Sequence, residues 1–211
     1  MSDGWNINFY RRPLSDEPIW RVTPRMLHNA RIGRSYWSVS TEQIPPTKKY
    51  RIILQGLIKD LPSSEAAGCG VVFLGPFGSG KTSAGCILLK AAMARGGQSF
   101  FVSALELKSA YDRRIYALSP EGVQVWDMAT KCQIVLIDDL GAEIGPTVAG
   151  GDVRVAEELI RARYNERLTT YITTNMKLSE LMSTYKALAS ILSEPSRYRH
   201  IVVKEVNWRK Q

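Results

Sequence analysis

Residues 70–82 read GVVFLGPFGSGKT. Gly70 to Leu74 is a short apolar run that suits a buried strand, and it passes directly into Gly75-Pro76-Phe77-Gly78-Ser79-Gly80-Lys81-Thr82. That octet fits GxxxxGK followed by Ser or Thr. Phosphate binding requires these residue types. Glycines let backbone N–H groups turn inward around phosphate oxygens, and a helix starting at the end of the loop presents its positive end to them. Lys81 would neutralise the β- and γ-phosphates, and the Thr82 hydroxyl would ligate Mg²⁺. The expected cradle is Gly75, Pro76, Phe77, Gly78, Ser79, Gly80, Lys81, Thr82 and Ser83, with ATP and Mg²⁺ as cofactors.

Downstream of the loop, residues 83–95 are almost wholly apolar, so they predict a helix inside the fold, ended by Gly96-Gly97. Ser99 to Ser103 predicts a second strand, residues 104–117 and 120–131 two helices, and Ile134 to Ile137 a third strand that is apolar on both faces. Asp152 can cap a helix running to about Leu168, Tyr171 to Thr174 suits a fourth strand, Leu178 to Leu192 is mostly helix, and Ile201 to Val206 suits a fifth strand. Upstream, Tyr50 to Leu61 suits a helix ended by Pro62. Short strands that are apolar on both faces and alternate with helices indicate a parallel sheet covered on both sides. The expected fold is therefore α/β of the P-loop NTPase kind, with a five-stranded parallel sheet and helices on both faces. Residues 1–48, rich in Pro, Arg and aromatics and without a clean period, read as an extended arm with room for one short helix, ahead of a core spanning 49–211.

Ile134-Val135-Leu136-Ile137-Asp138-Asp139 is an apolar strand ending in two acids. Behind a phosphate loop, such a strand places Asp138 to hold Mg²⁺ and Asp139 to orient or deprotonate the attacking water. Asn175, after Thr173-Thr174 at the end of the fourth strand, could hold the same water or could be a simple turn residue. Arg197 and Arg199, in the run Ser196-Arg197-Tyr198-Arg199-His200 before the last strand, could reach a phosphate and stabilise charge in the transition state, or could form a solvated basic loop.

The composition, 45% hydrophobic and 23% charged over 211 residues, excludes disorder throughout and allows a single full core. The net charge of +8 favours an anionic partner. Residues 1–70 hold 10 basic and 6 acidic residues, residues 71–150 hold 7 of each, and residues 151–211 hold 11 and 7. The excess therefore lies in the flanks, away from the phosphate loop. Cys69, Cys86 and Cys132 show no zinc-type spacing with one another or with His28 and His200. No apolar stretch approaches the ~20 residues of a membrane span, and the N-terminus lacks a signal-peptide core. A cytoplasmic protein without a membrane partner is expected.

GPFGSGKT (75–82), VLIDDLGAE (135–143), YITTNMKLSEL (171–181) and SRYRHIVV (196–203) together resemble the AAA+ ATPases, specifically the DnaC/DnaI-type helicase loaders and the IstB-like transposition helpers. The resemblance covers roughly residues 22–208, and VTPRMLHNARI (22–32) looks like the lead-in these proteins carry before the ATPase core. It implies that Lys81 and Thr82 are the Walker A pair, Asp138 the Walker B magnesium residue, Asp139 the catalytic acid, Asn175 sensor 1, and Arg197 the arginine finger that acts on a neighbouring subunit's ATP. Residues 104–131 would correspond to the initiator-type insertion that favours helical assemblies. Two departures stand out. Asp139 replaces the Glu of many AAA+ proteins and is one methylene shorter, which points to slow hydrolysis, with Glu143 a lesser substitute base. In addition, no C-terminal helical lid is expected after the fifth strand, and the 1–48 arm is too short to be the helical domain that grips a helicase.

The resemblance implies an ATPase of DNA replication that assembles through ATP into a homo-oligomer, binds DNA, preferably single-stranded, and meets a replicative helicase. The same core would serve a transposase in a transposition helper. A nucleotide-gated interaction protein with little turnover is the reading from another class, and a small-molecule kinase fits the Asp138-Asp139 and Asn175 elements poorly. Trp5, Phe9, Tyr10, Trp20, Tyr36 and Trp37 interleave with arginines in the arm, so the arm could stack bases, pack on the core or dock a partner.

Overall fold

A computed structural model of the chain describes residues 12–44, 49–116, 120–144 and 153–203. In chain order the elements are α1 (Pro24–Asn29), 3₁₀ turns at Arg34–Tyr36 and Thr41–Gln43, α2 (Lys49–Lys59), α3 (Leu61–Ala66), β1 (Gly70–Leu74), α4 (Lys81–Ala94), β2 (Ser99–Ser103), α5 (Ala104–Ile115), α6 (Pro120–Lys131), β3 (Ile134–Leu140), α7 (Val153–Asn165), β4 (Thr169–Thr174), α8 (Leu178–Thr184), a 3₁₀ turn at Lys186–Leu188, α9 (Ala189–Leu192) and β5 (Tyr198–Val202). The five strands form one parallel sheet in the order β2-β3-β4-β1-β5.

Successive strand residues point to opposite faces, and the core divides accordingly. Val71, Phe73, Leu136 and Tyr171 join one buried cluster with α2, α4 and the arm. Val72, Leu74, Val135, Ile137 and Ile172 join a second with α5, α6, α7, α8 and α9. β1 and β4 are buried along their whole length, as strands covered on both faces must be. α4 lies directly on β3: a Cβ at Gly85 would come within 2.6 Å of the Leu136 side chain. α5 and α6 meet edge-on through Tyr111 and Trp126, whose ring centroids are 4.9 Å apart.

The described part of the arm packs against the core. Leu14, Leu27, Ala30, Ile32 and Ile44 are buried in the cluster with α4. The Ala30 carbonyl accepts from Phe101 N–H at 2.9 Å, which covers the open edge of β2. Lys90, the lone cation in the apolar middle of α4, donates to the carbonyls of Tyr36 (2.8 Å), Trp37 (3.1 Å) and Val39. Tyr36 and Trp37 are packed against the cluster, whereas Trp20 is 61% exposed.

Several expectations are corrected. Pro62 does not end a helix: α2 stops at Lys59, and Pro62 sits in the first turn of α3, where a missing N–H costs nothing. The third strand runs three residues further, through both acids, and the fourth starts at Thr169. Leu178–Leu192 breaks into two helices and a 3₁₀ turn. The fifth strand begins at Tyr198, so Arg199 and His200 lie on it and only Arg197 precedes it. As an edge strand with exposed positions at Arg199 and Val202, it lacks the continuous apolar run that marks β1. Asp152, and Trp5, Phe9 and Tyr10 of the arm, lie outside the described residues.

Arg163 on α7 is wholly buried. Its guanidinium donates to the carbonyls of Ala129 (2.9 Å), Cys132 (2.7 Å) and Thr169 (2.7 Å) and to the Thr170 hydroxyl (3.0 Å). It ties the end of α6, the start of β4 and the last turns of α7 together. Burial pulls its pKa down to about 10.

Candidate functional site

The sheet order puts β1 next to β4 and β4 next to β3, so the carboxyl ends of three strands open onto one cleft. The loop Gly75–Gly80 leaves β1 and enters α4. A Cβ at Gly75 would lie 2.3 Å from the Val203 carbonyl, so only glycine fits there. Gly80, the residue before α4, has φ of +92°, in the region that favours glycine. No side chain caps α4, so the N–H groups of its first turn remain aimed at the loop.

Lys81 is buried at the centre of this loop. Its ammonium donates to the carbonyls of Gly75 and Pro76 and to Asn175 Oδ1, each at 2.8 Å. Burial lowers its pKa, while Asp139 and Asp138 oppose the shift.

A regular strand would send Asp138 and Asp139 to opposite faces. Here the β3–β4 register shifts between Ile137 and Leu140, and Asp139 takes φ of +57°. Asp tolerates that left-handed conformation better than most residues. The irregularity brings both carboxylates into the cleft. Thr173 holds it in place: its hydroxyl donates to Asp138 Oδ1 at 2.6 Å and accepts from Asp139 N–H at 2.8 Å. Thr174 Oγ1 donates to the Leu140 carbonyl at 2.7 Å. Asn175 completes the bridge, giving its amide N–H to Asp139 Oδ1 while its carbonyl accepts from Lys81. Burial raises the Asp138 pKa, and hydrogen bonds from Thr173 and Thr82 offset the shift only in part.

The structure thus brings Lys81, Thr82, Asp138, Asp139 and Asn175 together, with Ser83, Phe77, Gly78 and Gly80 lining the same cleft of about 250 Å³. Ser79 is buried beside Lys81, 3.5 Å from its ammonium, and Phe77 is 82% exposed. Thr82 and Asp138 offer a hydroxyl and a carboxylate, hard oxygen donors of the kind Mg²⁺ prefers. Among the described residues no group of three His, Cys, Asp or Glu side chains is placed to hold a metal.

Arg197 stands elsewhere. Its carbonyl accepts from Gly70 N–H at 2.7 Å, at the end of β1 opposite the loop. Five strand residues separate the two ends, roughly 15 Å, so this arginine does not complete its own chain's cleft. Glu143 is a structural anchor: its carboxylate accepts from Gly141 N–H at 2.8 Å and from the Tyr185 hydroxyl, fixing the chain after β3.

Sequence reasoning missed Thr173 as the clamp of the acidic pair and Tyr36 as a wall of the cleft. Lys90 alone in an apolar helix was the available signal for the arm's anchorage. A larger cavity of about 610 Å³ lies between α1, α5 and α6. Its Arg31 and Glu106 pair with each other, and it contains none of the expected phosphate or metal ligands, so the chemistry belongs to the smaller cleft.

No family profile and no curated protein matches the sequence. Solved structures do. The chain resembles the crystal structure of the DnaC helicase loader, with 20% identity and a TM-score of 0.67 over 82% of this chain and 100% of that one. It resembles DnaI with 19% identity and a TM-score of 0.66 over 82% and 95%. A replication initiator DnaA bound to AMPPCP and single-stranded DNA matches with 14% identity and a TM-score of 0.59 over 77% of this chain and 49% of that one. At these identities the likeness establishes the fold alone, an α/β domain built on a five-stranded parallel sheet.

Proposed function

We propose that this chain is an Mg²⁺-dependent AAA+ ATPase acting in DNA replication as a helicase-loader-like factor, with ATP held at subunit interfaces. The observation that carries this reading is the convergence of Lys81, Asp138, Asp139 and Asn175 through hydrogen bonds that link the start of α4 to the ends of β3 and β4. Among the similar structures are the DnaC helicase loader, DnaI, and a replication initiator DnaA bound to AMPPCP and single-stranded DNA, which supports the replication context.

In this reading the loop N–H groups and the start of α4 bind the phosphates, and Lys81 exchanges the Gly75 and Pro76 carbonyls for phosphate oxygens. Thr82 and Asp138 would hold Mg²⁺, which neutralises charge on the phosphates when bound. Asp139 orients and deprotonates the attacking water. Asn175 fixes the Asp139 carboxylate and couples it to Lys81. Arg197, remote from its own cleft, acts on the neighbour's γ-phosphate. DNA is the anionic partner, met by the basic flanks.

A second reading, nucleotide-gated interaction with little turnover, is favoured by one observation: Asp139 is short and already tied to Asn175. Phosphate release by the wild type and by Asp138→Ala, with and without single-stranded DNA, separates the two. The ATPase reading expects the wild type to exceed the variant roughly tenfold or more. Equal rates would remove hydrolysis and leave the gated binder.

A further inference from the structure

Arg197 is set in a small framework at the lower edge of the sheet. Its guanidinium lies over the ring of Tyr164, 4.5 Å from the centroid. Its Nη2 donates to the Tyr164 carbonyl at 3.2 Å, and its Nε is buried without a partner among the described residues. The ring is itself held: the Tyr164 hydroxyl donates to Glu194 Oε2 at 2.6 Å, and Ser196 Oγ donates to Glu194 Oε1 at 2.6 Å. Tyr164 sits in the last turn of α7, one residue after Arg163, whose buried guanidinium fixes that turn to β4 and the α6–β3 connection. Arg199, two residues on, is ion-paired instead with Asp60 at 3.3 Å.

A free arginine side chain samples many rotamers, and ordering it at the moment of use is costly. A ring beneath the guanidinium face restrains it while leaving its edge N–H groups to bind an anion. We propose that Tyr164, steadied by Glu194, is the positioning residue that holds Arg197 ready for the γ-phosphate of an adjoining copy of this chain. The inference rests on the reading of Arg197 as acting between subunits.

Mixed assemblies test it. Asp138→Asn subunits keep the arginine but cannot turn ATP over, and Arg197→Ala subunits keep an intact cleft but lack the arginine. Mixed together, they should regain turnover that neither shows alone. Adding Tyr164→Ala to the Asp138→Asn chain, which donates the arginine, should cut the regained rate roughly tenfold. The same change in the Arg197→Ala chain should leave the rate within about twofold, since no arginine remains there to position. Tyr164→Phe in the donor chain keeps the ring and should retain most of the rate. Affinity for a fluorescent ATP analogue should not change in any of these. Equal loss with Tyr164→Ala in either chain, no loss in the donor chain, or Tyr164→Phe falling as far as Tyr164→Ala overturns the positioning role. If the mixture regains no turnover at all, the between-subunit reading of Arg197 itself fails.

Discussion

At the scale of single residues, the candidate site depends on Asp138 being charged where burial opposes charge. Burial raises its pKa, and the hydrogen bonds from Thr173 and Thr82 with the pull of Lys81 do not cancel the shift. A carboxyl whose folded pKa exceeds its unfolded value stabilises the fold when protonated, and that contribution is lost as pH rises through the folded pKa. At neutral pH, therefore, Asp138 costs stability that its function requires. Asp138→Asn should raise the melting midpoint of the ligand-free protein by about 2–4 °C at pH 7 while abolishing turnover. The gain should shrink toward zero as pH falls below the ordinary value of 3.8, where the carboxyl is protonated in both states. Calorimetry across that range reads it directly, and a variant no more stable at pH 7 than the wild type would refute it. The loop and the two acids were legible in the sequence because each is a local pattern. Their arrangement was not: a strand period of two separates Asp138 from Asp139, and only the register shift and the Thr173 hydroxyl, 34 positions from Asp139, reunite them.

At the scale of elements, β1 and most of β3 were legible because strands covered on both faces read as unbroken apolar runs. β5 starts three residues earlier than its apolar run suggests, because an edge strand alternates and the exposed Arg199 interrupts the pattern between Tyr198 and His200. The arm was read as extended because it has no period. Its order comes from contacts more than fifty residues away, above all Lys90 against the carbonyls of Tyr36, Trp37 and Val39. Lys90→Met keeps the helical propensity and the apolar stem but leaves those carbonyls without their cation. It should cost about 2 kcal/mol in denaturant unfolding and speed proteolytic cutting within residues 12–44. Because Tyr36 lines the cleft, ATP affinity should fall too. Unchanged proteolysis would show that the buried Leu14, Leu27 and Ile32 hold the arm without the lysine.

At the scale of the whole molecule, the charge of +8 acquires a distribution. Some of the flanking basic residues are spent internally: Arg163 is buried, Arg31 pairs with Glu106, and Arg34 lies over Trp37. Arg12, Arg21 and Arg25 of the arm remain exposed, as does Trp20, which directly precedes Arg21 in the chain. Arg154, Arg161 and Arg167 are exposed on and after α7. Cations next to an open aromatic ring suit single strands, whose bases can stack, so the arm is the stronger candidate for the contact. Phosphate contacts release counterions, so affinity for an oligothymidine should fall by orders of magnitude between about 50 and 200 mM salt. Replacing Arg12, Arg21 and Arg25 by Ala should weaken binding and flatten the salt dependence by roughly three contacts, and Trp20→Ala should weaken binding without changing the slope. Arg154, Arg161 and Arg167 replaced together should do less. Fluorescence anisotropy with an ATP analogue, repeated with Lys81→Ala, links the two ends of the argument. If nucleotide governs assembly on DNA, only the ATP-stimulated part of binding disappears in that variant, whereas binding indifferent to both nucleotide and Lys81 would separate the basic flanks from the phosphate loop.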